Sequence, residues 1–146
     1  MWSAAKVKKL CEENLLRPEK ARGQHFLIDD SFVKKMVEAA GVKNGDSVIE
    51  VGPGWGVLTE ELLSVGADVT AVEIEKKMAD YLEKIYPDVK VVNKDVLKFF
   101  GSEPQSSYSV IANVPYHITG AIIRGFLEKT KRSPEQMVLM IQKEVA

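Results

Sequence analysis

Two spacings of apolar residues alternate along this chain. Ala4, Val7, Leu10, Cys11 and Leu15 recur at helical intervals over residues 3–16, and the pattern stops before Pro18, since the residue ahead of a proline disfavours helical geometry. The loop RPEKARGQHFLID follows. Asp30 or Ser31 is placed to cap a second helix, whose apolar face is Phe32, Val33, Met36, Val37 and Ala40 and whose stop is Gly41. After a turn at 44–46, SVIEVG begins a strand at Ser47, the glycine cluster GPGWG follows, and a helix spans about 57–65. DVTAVEI is the second strand, and EKKMADYLEKIY is an amphipathic helix turning Met78, Tyr81, Leu82 and Ile85 inward. VKVVNKD is a third strand, VLKFF a short helical or turn segment, and GSEPQSS a loop by composition. YSVIANV, ITGAIIRGFLEKT and QMVLMIQK then give a fourth strand, a helix and a fifth strand.

Strand and helix alternate from Ser47 to Lys143, and near-continuous Val and Ile runs mark strands covered on both faces. The implied fold class is α/β: an open, doubly wound, mostly parallel sheet. Ligands in such sheets bind outside the carboxyl ends of the strands, where the winding reverses, and each motif considered below falls at such an end.

Composition adds boundaries. A chain of 146 residues, 45% apolar and 28% charged, is one globular domain with a real core. Its apolar runs are strand-sized, and the N-terminus lacks the apolar segment of a signal peptide, so the chain reads as cytoplasmic. Cys11 is the single cysteine, which excludes an internal disulfide and a cysteine-clustered zinc site and suggests a partly buried helix thiol; no metal is expected. Charge is uneven. Residues 1–24, read as a basic N-terminal helix and arm, carry +3 and the remaining domain, 25–146, carries −4. Such an arm suits nucleic-acid phosphate, or is a solvated helix face.

Gly52, Gly54 and Gly56, between a strand and a helix, let the backbone pass close to a ligand, or serve a tight turn. Glu73, twenty-one residues beyond Gly52 at the end of the second strand, is placed to accept from both hydroxyls of a ribose. A dinucleotide fingerprint would need glycine at 57, which is valine. With the acid Glu50 ahead of the glycines, the loop suits a ligand bearing an ammonium group, such as S-adenosylmethionine. Asp95, ending the third strand, either accepts from the adenine amino group or caps VLKFF.

NVPYHIT closes the fourth strand. The Asn113 side-chain oxygen and the Val114 carbonyl are two acceptors for the hydrogens of an exocyclic amine, and would direct its lone pair at a methyl donor without a strong base. Pro115 stiffens the turn and Tyr116 offers a face on which an extruded base stacks, worth ~1–3 kcal/mol. The competing assignment is an ordinary turn with Tyr116 in the core. His117 reads as a turn residue.

These segments carry a resemblance. GQHFLID, VIEVGPGWGVLTEELL, AVEIE, KDVLKF, NVPYHIT and MVLMIQKEVA come in the order and spacing of the rRNA adenine N6-dimethyltransferase family, whose relatives include the erythromycin-resistance methylases. The resemblance implies a Rossmann-like, S-adenosylmethionine-dependent methyltransferase that dimethylates adenosines of small-subunit rRNA in ribosome biogenesis. It implies donor contacts from His25, Leu27, Gly52, Gly54, Glu73 and Asp95, with Asn113 serving both donor and target amine and Tyr116 stacking on the target base. Members run on through two more strands and a helical domain. A chain ending at Ala146 is therefore expected to be incomplete in its target pocket, with VLMIQ an exposed edge open to self-association. The alternatives are a non-catalytic RNA-binding or ribosome-assembly module, a fragment with donor binding only, and a large-subunit rRNA or DNA adenine methylase.

Overall fold

A computed structural model describes residues 2–15, 30–114 and 116–141, with the backbone alone at residue 116. The described helices are α1 (Ala4–Glu13), α2 (Asp30–Ala40), α3 (Val57–Ser64), α4 (Lys76–Ile85) and α5 (Thr119–Glu128). The strands are β1 (Ser47–Val51), β2 (Asp68–Glu73), β3 (Lys90–Asn93), β4 (Ser109–Asn113) and β5 (Gln136–Met140), with single 3₁₀ turns at Val96–Lys98 and Tyr116–Ile118. All pairings are parallel and the order is β3-β2-β1-β4-β5, the doubly wound sheet expected from the alternation of periods. Winding reverses between β1 and β4. A crevice therefore opens at their carboxyl ends.

The strands alternate their side chains between two apolar layers. Val48, Val69 and Ile111 meet α1 to α4 in a layer that includes Trp2, Val7, Cys11, Val33, Met36, Leu58 and Met78. Ile49, Val51, Val72, Val110 and Ala112 meet α5 and the first 3₁₀ turn in the other, with Val96, Phe99, Ile122 and Phe126. The glycine stop of α2 is realised at Gly41, with φ of +59°.

Some local expectations need correction. α1 is shorter than residues 3–16, beginning after Ser3, whose side chain accepts from the Lys6 N–H, and ending at Glu13. α2 begins at Asp30, so Asp30 and Ser31 lie within its first turn rather than capping it. Phe32 and Ile85, assigned inward by period, are 50% and 46% exposed. Each lies in the terminal turn of its helix. Cys11 is fully covered rather than partly so.

Candidate active site

The glycine turn gathers three strand ends. Gly52, with φ of +67°, follows β1, and its N–H donates to the Val72 carbonyl of β2 at 3.0 Å. On its other side, a Cβ on Gly52 would stand 3.9 Å from the carbonyl oxygen of Asn113, the last residue of β4. Gly54, also at positive φ, donates its N–H to Glu73 Oε2 at 3.0 Å. Glu73 Oε1 accepts from the Glu75 N–H at 2.8 Å, so both carboxylate oxygens hold backbone donors. Burial pushes the Glu73 pKa up, and backbone N–H bonds from Glu75, Gly54 and Ile74 oppose it. Asn93 completes this edge, its side-chain amide donating to the carbonyls of Glu73 and Ile74 at 2.9 and 3.1 Å.

Gly56 has a different job from the one its position in the cluster implies. Its φ is +91°, and a Cβ there would meet Tyr86 Cε2 at 2.7 Å and Leu82 Cδ2 at 3.0 Å, so it permits helix packing rather than ligand approach. Glu50 is likewise corrected. It is 1% exposed, its Oε2 accepts from the Thr59 hydroxyl at 2.7 Å, and its Oε1 is buried without a hydrogen-bond partner among the described residues. Burial pushes its pKa to about 8, so at neutral pH it is a neutral acid joining α3 to β1, not a charge facing an ammonium.

Asp95 lies at the end of β3, where its Oδ1 accepts from the Leu97 N–H at 2.9 Å: the helix-cap role is present. Its half-exposed carboxyl lies next in sequence to the first 3₁₀ turn. Two residues absent from the sequence-based expectations flank the acids. Ile74 and Leu97 are 55% and 40% exposed, an unusual state for large apolar side chains beside two sheet-edge carboxyls. An apolar residue directly after the edge acid was the signal available. Two carboxyl acceptors are thus bordered by apolar surface at neighbouring strand ends.

Asn113 is half-buried and Val114 is 6% exposed within the second apolar layer. His117 is exposed in a 3₁₀ turn, in line with a turn residue. His25, Leu27 and Pro115 lie outside the described residues, as does the Tyr116 side chain. The structure thus brings Gly52, Gly54, Glu73 and Asn113 to one crevice, with Asp95 at the next strand end.

Solved structures share this architecture. Over 82% of this chain and 49% of theirs, the 23S rRNA methyltransferase ErmE superposes with a TM-score of 0.71 and 31% identity. A dimethyladenosine transferase from Plasmodium falciparum, over 82% of this chain and 44% of its own, gives 0.71 and 30%. The fold is that of Rossmann-like methyltransferases. The profile of the family described as Ribosomal RNA adenine dimethylase matches residues 17–146, and the chain belongs to that family. A ribosomal RNA small subunit methyltransferase A from Dehalococcoides mccartyi (strain BAV1) is 46% identical over 97% of this chain and 50% of its own length. One of the same name from Deinococcus radiodurans is 38% identical over 100% and 50%. The chain spans about half the length of the curated relatives it matches.

Proposed function

We propose that this chain carries the donor site and the amine-methylating turn of an S-adenosylmethionine-dependent rRNA adenine N6-dimethyltransferase acting on small-subunit rRNA. The observation that supports the proposal is the approach of Gly52 to the end of β4, where an added Cβ would stand 3.9 Å from the Asn113 carbonyl oxygen, with the Gly54 N–H on the Glu73 carboxyl beside it. The donor fits what is there. Gly52 leaves free the space a Cβ would fill, Glu73 offers a carboxyl to ribose hydroxyls, and Ile74 and Leu97 offer apolar surface to a purine. Glu73, Gly52, Gly54 and Asp95 would hold it, together with His25 and Leu27. Bound there, S-adenosylmethionine supplies an electrophilic methyl group on a sulfonium.

Asn113 and the Val114 carbonyl would accept the two hydrogens of the target amine and orient its lone pair, so proton loss follows transfer and no general base is needed. Pro115 keeps both acceptors aimed, and Tyr116 stacks on the extruded base. The small-subunit choice is supported by 46% identity to a small-subunit enzyme against 31% to the 23S enzyme. The basic arm would meet rRNA phosphate, in a cytoplasmic setting. Self-association through β5 is a second element of the proposal, since that strand pairs with β4 alone among the described residues.

Calorimetry with S-adenosylmethionine, paired with tritiated methyl transfer to small-subunit precursor particles, large-subunit rRNA and duplex DNA, tests this. Glu73→Ala should weaken donor binding about 10- to 100-fold, the loss of a charged buried acceptor. Asn113→Ala should retain most donor affinity and lose transfer; undiminished turnover in that variant would remove the mechanism. Donor binding with no transfer to any substrate would leave a donor-binding fragment.

A further inference from the structure

Between α1 and α4 lies a cleft of about 420 Å³, bordered by Leu10 of α1 and by Lys77, Tyr81, Lys84 and Ile85 of α4. The volume is in the range of small-ligand sites. Lys77, Tyr81 and Lys84 stand at i, i+4 and i+7, so two cations and the ring between them share one helix face. Ile85, 46% exposed, adds apolar surface to the same cleft.

Asp80 and Glu13 also border the cleft, and burial together with the charges of Glu60 and Glu13 pushes the Tyr81 pKa up. Asp80 accepts both bonds of Lys76, at 2.7 and 2.9 Å, and Glu13 stands 3.6 Å from Lys9. Lys77 and Lys84 form no ion pair among the described residues, and the Lys77 ammonium donates to the Leu15 carbonyl at 3.3 Å. Tyr81 is braced from the protein side by Trp55, the two rings packed edge to face at 5.2 Å and 88°. Trp55 belongs to the glycine turn, and Lys77 follows Glu73 by four positions, so the cleft begins beside the edge that carries the candidate site.

Cations spaced along a groove with an aromatic ring between them are what a single nucleic-acid strand requires: ammonium groups for successive phosphates and a π-face for a base, the latter worth ~1–3 kcal/mol. We infer that this cleft holds a nucleotide of the substrate RNA other than the target adenosine, with its base against Tyr81 and adjoining phosphates on Lys77 and Lys84. The inference rests on the RNA methyltransferase proposal above and adds to it a contact on the opposite side of the glycine turn from Asn113.

The test is a fluorescence titration of a single-stranded RNA oligonucleotide with the chain at several salt concentrations, alongside calorimetry with S-adenosylhomocysteine. Two lost phosphate contacts in Lys77→Gln/Lys84→Gln should lower affinity about tenfold and reduce the slope of log K against log salt by about 1.4, at ~0.7 per phosphate on a single strand. Tyr81→Leu should lower affinity about tenfold and leave the slope unchanged. Lys34→Gln/Lys35→Gln, which removes the same charge from exposed positions of α2, should leave slope and affinity near the parent values. Parent-like RNA binding in Lys77→Gln/Lys84→Gln, an equal loss in the α2 variant, or no RNA binding by the parent chain would each overturn the inference. Failure of the parent to bind S-adenosylhomocysteine would instead count against the methyltransferase proposal, so the two failures are separable.

Discussion

Glu50, with 1% of its surface exposed and one oxygen on Thr59, holds a proton that water would remove at neutral pH. Its folded pKa of about 8 lies above the ordinary 4.5, so the native state binds this proton more tightly than the unfolded chain does. The stabilisation is therefore complete below about pH 4.5 and is lost as pH rises towards 8. Glu73 is shifted in the same direction and adds to the slope. Glu50→Gln keeps an acceptor for Thr59 and has no proton to lose. Its unfolding free energy from urea titration should therefore fall less than the parent's between about pH 5 and pH 8, the difference reaching the order of 3 kcal/mol. Equal slopes would mean that Glu50 is ionised in the folded protein. At this scale the sequence shows well that Gly52, Glu73 and Asn113 lie at strand ends. It does not show that Glu50 is neutral, that Gly56 faces Tyr86, or that Ile74 and Leu97 are exposed. Those facts depend on which neighbours the fold supplies.

Helix α5 shows two local rules in opposition. Gly125 lies in its last turn, where alanine would be favoured by about 1 kcal/mol on helix propensity. A Cβ there would come within 2.0 Å of the Phe100 ring, which packs edge to face on Phe126 at 5.1 Å. Displacing the ring loses that contact and strains a filled layer, a cost of about 1–3 kcal/mol. Gly125→Ala should therefore destabilise by roughly 1 kcal/mol net in chemical denaturation, and Phe100→Leu in the same chain should recover part of the loss. A stabilised single variant would show that Phe100 yields freely. The elements themselves were legible because period 2 and period 3.6 alternate cleanly from Ser47 onward. Their terminal turns were not: Phe32 and Ile85 continue the apolar period to the helix ends, so period alone assigns them inward, yet they are half-exposed.

The sheet order β3-β2-β1-β4-β5 leaves β3 and β5 at its margins among the described residues. β3 begins and ends in exposed polar residues, Lys90 and Asn93, which discourage pairing. β5 differs, since Met137, Val138, Leu139 and Met140 are all half-buried, with Met137 and Leu139 packed towards one apolar layer and Val138 and Met140 towards the other. A strand apolar on both faces is the kind that sheets place inside, and the unbroken run MVLM carries that signal in its letters alone. What the sequence lacks is the identity of a neighbour for the outer backbone groups. If a second copy supplies it, sedimentation equilibrium should show the mean mass climbing from monomer towards dimer as protein rises through the micromolar range. Met137→Lys, at the start of β5 where a charge disturbs the layer least, should shift that rise to higher concentration while circular dichroism stays native. A parent chain that remains monomeric throughout would exclude β5 as a self-pairing edge and leave the proposed donor site, at the ends of β1, β2 and β4, unaffected.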